Sequence, residues 1–144
     1  MKTGVFVFKK IVTIVIFVVT VFLLFIIFNK PLFLTLNQNG EYEIYSSSYS
    51  SNAVIKKLDR EKLSFEFFYT GESVEIEYTD YSVIKDIFCL KTVKIESFSQ
   101  GKNVYAYSRK IPNYKLIDGK RVNVHVFYGK NSCKIGSPLI YGSF

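Results

Sequence analysis

The chain of 144 residues has no tryptophan, a single histidine and only two cysteines. One histidine excludes the HExxH motif and histidine-cluster zinc sites. Cys89 and Cys133 lie too far apart in the sequence for a CxxC metal or redox pair. The eight glycines form no G-x-G-x-x-G or P-loop pattern. We therefore expect no catalytic, cofactor-binding or metal-binding residues and predict that the protein is not an enzyme.

No acidic residue precedes Glu41, so the net charge of +7 is unevenly distributed. Four of the nineteen Lys and Arg residues flank an apolar run near the N-terminus. The other fifteen lie after residue 36 together with all twelve acids, which leaves +3 for that part. Nucleic-acid binding needs a concentrated basic face. With a nearly balanced, interspersed set of charges, we predict no nucleic-acid partner.

The dominant feature of the sequence is the apolar run Ile11–Phe28, which two threonines alone interrupt. As a helix, its eighteen residues reach about 27 Å, close to the hydrocarbon thickness of a bilayer. Residues 29–36 contain no Ala, Gly or Ser, so they offer no A-x-A-like cleavage site. No cysteine follows the run closely, which argues against a lipoprotein. We predict an uncleaved signal anchor, with Leu32 and Phe33 extending the span or lying at the membrane interface.

The charges around the run predict its orientation. Lys2, Lys9 and Lys10 precede it, whereas Lys30 alone follows closely. Cytoplasmic flanks carry the excess of Lys and Arg, so we expect the N-terminus inside the cell and the remainder outside. The predicted organisation is a cytoplasmic N-terminus at 1–10, a transmembrane signal anchor at 11–28, a linker at 29–40 and an extracytoplasmic domain at 41–144.

One amphipathic helix is predicted in that domain, from Asp80 to about Leu90. Thr79 or Asp80 supplies a cap whose side-chain oxygen can accept from the amides of the first turn. Apolar residues recur at helical spacing and form one stripe that we expect to face the core. The stripe consists of Val83, Ile84, Ile87, Phe88 and Leu90.

The rest of the domain reads as strands, with alternating apolar and polar residues between turn signals. Asp118-Gly119 is the strongest hairpin turn. Residues 53–58 fit a helix face or a strand, and we favour a hairpin with 63–69. The sequence predicts an α+β fold, in which one or two helices cover a small antiparallel sheet. The expected strands are 41–45, 63–69, 73–78, 92–98, 104–108, 115–117, 121–128 and 133–135.

Candidate chemical groups are few, and each has a structural interpretation. His125 is expected to point to solvent from a strand, together with Asn123 and Phe127 and opposite Val122, Val124 and Val126. Outside the membrane, Cys89 and Cys133 are able to form a disulfide, although Cys89 also fits a small core residue. The remaining pairs are expected on solvated surfaces, namely Glu41/Glu43, Glu75/Glu77, Lys56-Lys57 and Arg109-Lys110.

Several fragments together carry a resemblance to a known family. They are Gly71-Glu72-Ser73, Ala106-Tyr107-Ser108, residues 118–124 and residues 136–144. Over about residues 70–144 the chain resembles the YwmB-like family of secreted or membrane-anchored proteins of Gram-positive spore-formers. The resemblance implies a fold similar to TATA-box-binding proteins, a curved antiparallel sheet with helices on one side. It implies no catalytic residues and no DNA binding.

These observations favour a single-pass cell-membrane protein with an extracytoplasmic domain. We expect that domain to be a non-enzymatic binding or structural module of the cell envelope. Its expected partners are the lipid bilayer and an envelope protein. Two alternatives stay open: an envelope enzyme that acts on wall polymer or lipid through His125, and a regulator that docks through its membrane helix.

Overall fold

The computed structural model describes residues 2–28, 32–33, 40–48, 52–59 and 69–141. The chain divides into two compact units, Met1–Lys30 and Pro31–Phe144. The first contains one apolar helix. The second contains a seven-stranded antiparallel sheet, a two-stranded hairpin and a second α-helix. The predicted α+β class is confirmed.

Helix α1 extends from Lys2 to Phe28 and begins nine residues before the predicted span. Its window Phe8–Phe25 has a mean hydropathy of 2.5, and none of that window is buried within the structure. The hydroxyl groups of the two threonines in that window are both hydrogen-bonded. Thr13 donates to the carbonyl of Lys9 at 2.9 Å and Thr20 to that of Ile16 at 2.8 Å. In length and composition the helix is able to cross a membrane.

The second unit is organised by strands that alternate between two faces of one sheet. Their order is β2-β1-β3-β9-β8-β5-β4, and every neighbouring pair is antiparallel. The strands are β1 Glu41–Ser46, β2 Val54–Leu58, β3 Gly71–Glu77, β4 Lys91–Phe98, β5 Gly101–Tyr107, β6 Lys115–Ile117, β7 Lys120–Val122, β8 Val124–Tyr128 and β9 Ser132–Ser137.

The structure tests two local predictions, the turn at Asp118-Gly119 and the conformation of residues 53–58. Asp118 and Gly119 connect β6 to β7 with φ angles of 50° and 73°, as a tight turn with two left-handed residues requires. Residues 54–58 form a strand that pairs with β1. Their predicted partner at 63–69 lies outside the described residues except for Tyr69.

Helix α2, Tyr81–Phe88, covers one face of the sheet. The backbone carbonyl of Asp80 accepts from the amides of Val83 and Ile84, and the Asp80 side chain makes no capping hydrogen bond. Ile84, Phe88 and the following Leu90 are buried, as predicted. Val83 and Ile87 are exposed, so the predicted stripe was too wide. An eight-residue helix presents only one ridge of side chains to the sheet.

Phe33 completes the core on the α2 side. Its ring has no exposed surface and meets the ring of Phe88 edge-on, with centroids 5.9 Å apart. Leu32 packs against the same cluster. Their predicted place at the membrane interface was therefore wrong. The residues shortly after α1 contribute to the core of the second unit.

The opposite face of the sheet is covered in part by residues 138–141, which follow β9. Ile140 crosses directly over Gly136, where a Cβ atom would lie 2.6 Å from the Ile140 Cγ1 atom. The Tyr141 ring packs on Tyr45 with centroids 5.0 Å apart. Gly136 is therefore required because backbone and side chain approach too closely for any other residue.

A matched pair of substitutions tests the assignment of the α2 core face. Ile84→Ala removes a fully buried side chain, and we expect a loss of about 2–5 kcal/mol in the free energy of unfolding. Ile87→Ala makes the same chemical change where the side chain is 45% exposed, and we expect a loss below about 1 kcal/mol. Urea unfolding of the full chain in detergent measures both. Equal losses would contradict this assignment.

Candidate functional site: the polar face of the sheet

A row of polar residues crosses the face of the sheet opposite α2. Residues directly opposite one another on antiparallel strands point to the same side, so each cross-strand pair places the next residue of the row. The row consists of Lys57, Glu43, Ser73, Gly136, His125, Tyr105 and Lys94. The row includes the single histidine.

Near one end of this row, Glu43 is the centre of a buried hydrogen-bond cluster. Its Oε2 atom lies 2.7 Å from Lys134 Nζ and 3.0 Å from the Ser73 hydroxyl. Tyr45 donates to Ser73 at 2.6 Å, and burial raises the pKa of Tyr45 to about 12. The predicted solvated position of Glu43 was wrong, because Tyr45 and Lys134 cover it. Glu41 remains exposed and pairs with Lys57.

A serine beside a carboxylate and a lysine has the composition of an activated nucleophile. Ser73, however, has no exposed surface, and its hydroxyl both donates to Glu43 and accepts from Tyr45. A substrate cannot reach this oxygen in the folded domain. The cluster therefore joins β1, β3 and β9 through charge-assisted hydrogen bonds and does not form an accessible reaction centre.

His125 is buried, at 4% exposure, and the prediction that it points into solvent was wrong. It lies on the expected face, but residues 138–141 cover that face. Its Nδ1 atom accepts from the Ile140 amide at 3.3 Å, so its Nε2 carries the proton and donates to Asn103 Oδ1 at 3.0 Å. The ring stacks on Tyr105 at 4.5 Å. Burial lowers the pKa of His125 to about 4.

Asn123, which was predicted to share the solvated face with His125, is also fully buried. Its amide group accepts from the amide of Ser108 at 2.7 Å. It also donates to the carbonyls of Ser108 and Ile111 at 2.7 and 2.8 Å. Asn123 interrupts the predicted strand 121–128 between β7 and β8. It fixes the loop after β5 at that point.

Glu72 is the most buried carboxylate among the described residues, at 3% exposure, and it lies on the α2 side of the sheet. Its Oε1 accepts from the amide of Leu32 at 2.7 Å and its Oε2 from that of Phe33 at 3.3 Å. Burial raises the pKa of Glu72 to about 7, against the lowering effect of these two hydrogen bonds. The carboxylate thus satisfies backbone donors that Phe33 brings into the core.

The strand predicted at 73–78 begins one residue after Glu72, and this role of Glu72 was not predicted. The alternation that places Val74 and Ile76 in the core extends back by two residues to Glu72, and this parity is a signal that identifies its face. The alternation does not identify the hydrogen-bond partners of Glu72, because Leu32 and Phe33 lie about 40 residues away along the chain.

The remaining candidates are scattered. Cys89 is free and exposed at the end of α2, whereas Cys133 is free and buried in the core, so the structure contains no disulfide between them. Glu75 and Glu77 are exposed, as are Lys56-Lys57 and Arg109-Lys110. Within the described ranges, no group of three or more His, Cys, Asp or Glu side chains converges to hold a metal ion.

Replacement of His125 tests its buried, neutral state. The folded-state pKa near 4 lies below the ordinary value of 6.5, so only the unfolded chain takes up this proton as the pH falls from 6.5 to 4. Stability is lost over that window. The measurement compares the unfolding free energies of the His125→Gln variant and of the natural chain. As the pH falls from 7 to 4, we expect the difference between them to change by about 3 kcal/mol in favour of the variant. A constant difference would contradict the assignment.

Replacement of Glu72 has the opposite pH dependence. Its folded-state pKa near 7 lies above the ordinary value of 4.5, so the contribution to stability is present at low pH and is lost as the pH rises through 7. As the pH rises from 4.5 to 8, we expect the unfolding free energy of the Glu72→Gln variant to increase by about 3 kcal/mol relative to that of the natural chain. Glu75→Gln, at an exposed position of the same strand, serves as the control and should show no such trend.

Comparison of the chain with known protein families, with curated proteins and with solved structures finds no match. The resemblance to the YwmB-like family therefore stays a prediction.

Proposed function

We propose that this protein is a single-pass membrane protein whose α+β domain lies outside the cell and serves as a binding or structural module of the cell envelope. The observation that carries this proposal is helix α1. Its window Phe8–Phe25 is apolar, long enough to span a bilayer and entirely unburied. A helix that is hydrophobic on all sides requires an apolar environment, and lipid supplies it.

The two threonines in the window Phe8–Phe25 are consistent with a lipid environment. In hydrocarbon, an unsatisfied hydroxyl costs free energy because no water is present to pair with it. Thr13 and Thr20 each donate to the carbonyl four residues earlier. Lys9 and Lys10 lie near the N-terminal end of the window, where long side chains extend their charge to the interface. The Lys residues before the span support an N-terminus inside the cell.

The interior of the domain supports binding in preference to catalysis. His125 is the residue on which an envelope enzyme would depend, and a general base must reach the proton that it abstracts. Both ring nitrogens of His125 are hydrogen-bonded inside the domain. The Glu43 cluster is likewise closed to solvent. The accessible features of the described residues include surface side chains and the edge strand β4.

That edge, strand β4, is protected against pairing with another strand. A bulge interrupts its register between Thr92 and Lys94. Lys94 forms ion pairs with Glu96 at 2.9 Å and Asp118 at 2.8 Å. Bulges and charges are the usual means of preventing edge-to-edge association. We therefore place the binding surface on side chains and not on the open backbone of β4.

The exposed thiol of Cys89 provides a test of the topology. In intact Gram-positive cells that produce the full chain, we expect a small membrane-impermeant maleimide to label Cys89 under reducing conditions. The buried Cys133 should react only after denaturation. The measurement is the mass shift of the protein purified after quenching.

Two variants complete this experiment. Cys89→Ser should abolish labelling in intact cells. Thr3→Cys in the Cys89→Ser background places the only accessible thiol near the N-terminus, and it should react only after permeabilisation. Labelling of Cys89 that requires permeabilisation would overturn the proposed location of the domain.

A further inference from the structure

A basic cavity lies between strand β4, strand β5 and the β6–β7 hairpin. Its volume is about 390 Å³, and no acidic side chain lines it. The lining residues are Lys91, Thr92, Val93, Tyr107, Lys120 and Arg121. A volume of this size lies within the range of small-molecule sites.

The bulge in β4 helps to form this cavity. Lys91 and Thr92 are opposite Tyr107 and Ala106, whereas Lys94 is opposite Tyr105, so Val93 is the extra residue. A bulge changes the direction in which neighbouring side chains point and often lies next to a functional site. Lys94, whose charge is compensated by Glu96 and Asp118, is not among the lining residues.

The cations of the cavity form no direct ion pair with a described carboxylate, although the charge of Asp118 interacts with that of Lys120 at longer range. Within the described part of the chain, no ion pair is made by Lys91, Lys120 or Arg121, whereas Lys57 and Lys134 each have one and Lys94 has two. The guanidinium of Arg121 lies 4.7 Å from the centre of the Tyr114 ring, which restrains its position. Three unpaired cations around one concave surface produce a positive local potential.

The surrounding sequence strengthens this potential. Residues 91–121 contain eight Lys and Arg and two acids, a net charge of +6. Residues 40–90 contain five Lys and Arg and ten acids, a net charge of −5. The expectation of interspersed charge was based on the total alone. Along the chain the two signs are segregated, and three of the eight cations of residues 91–121 line the cavity.

We propose that this cavity binds the phosphoryl group of an anionic ligand, either a free phosphate compound or the headgroup of an anionic phospholipid. A phosphoryl group carries enough charge for several cations. The planar guanidinium of Arg121 donates two parallel hydrogen bonds that match phosphate oxygens, and Lys91 and Lys120 supply point charges. This inference specifies the ligand of the proposed binding function. It rests on that proposal for the location of the ligand, which is outside the cell.

The probe for this site is inorganic pyrophosphate, titrated by calorimetry into the full chain in phosphatidylcholine nanodiscs at low ionic strength. We expect saturable binding that weakens with added salt. Lys91→Gln combined with Lys120→Gln should raise the dissociation constant about 100-fold, since each charge-assisted contact contributes on the order of tenfold. Arg121→Lys keeps the charge but loses the bidentate geometry, and should weaken binding about tenfold.

The matched control is Lys85→Gln combined with Lys130→Gln, which removes two exposed charges at positions outside the cavity. We expect it to change the dissociation constant by less than about threefold. Unchanged melting temperatures establish that each variant is folded. Absence of binding to the natural chain, or equal weakening by the control and the cavity variants, would overturn the proposal.

The source of the phosphoryl group is resolved by a change of lipid. A phospholipid headgroup that occupies the cavity would compete with pyrophosphate. The natural chain should then bind pyrophosphate more weakly in phosphatidylglycerol nanodiscs than in phosphatidylcholine nanodiscs. The variant with Lys91→Gln and Lys120→Gln should show no such difference. Equal affinity in both lipids assigns a free phosphate compound. Both results support the site. Because the protein is purified, they are independent of the labelling experiment that tests the topology.

Discussion

A seven-stranded sheet has two faces, and the described part of the domain has one α-helix, of eight residues, to cover them. Helix α2 buries only Ile84, Phe88 and the adjacent Leu90 on one face. The other covering segments that the structure describes have no regular secondary structure or only a single turn. Leu32 and Phe33 complete the α2 side, and residues 138–141 cross the opposite side over Gly136. The stability of the domain therefore depends on two short covering segments. One lies about 40 residues from Glu72, which it contacts, and the other directly follows β9.

Each covering segment brings backbone amides into a place without water, and a titratable side chain accepts from them. Glu72 accepts from Leu32 and Phe33, and His125 accepts from Ile140. Burial shifts the pKa values of Glu72 and His125 in opposite directions. The folded state loses stability on acidification through His125 and gains it through Glu72. Between about pH 4.5 and pH 6.5 the two effects largely offset each other.

The period of the sequence predicted the local elements, and most of those that the structure describes were confirmed. It also placed His125 on the correct face. The period does not predict whether a face of the sheet is exposed to solvent, because exposure depends on which segment covers that face. His125, Asn123 and Glu43 were expected in solvent for this reason. Conversely, Val83 and Ile87 have the right spacing for a core stripe, yet the short helix contacts the sheet through a narrower ridge. Alternation reports orientation, and only tertiary contacts report burial.

The segregation of charge follows from the topology. Strand order β2-β1-β3-β9-β8-β5-β4 keeps the first half of the domain at one edge and strands β4 and β5 at the other. The acidic strands β1 and β3 and the strands β4 and β5, which carry a net positive charge, are therefore separated in space as well as in sequence. A fold that alternated the two halves across the sheet would have paired these charges and cancelled the field. Here β8 and β9 stand between them, and the cations around Arg121 remain available to an anion.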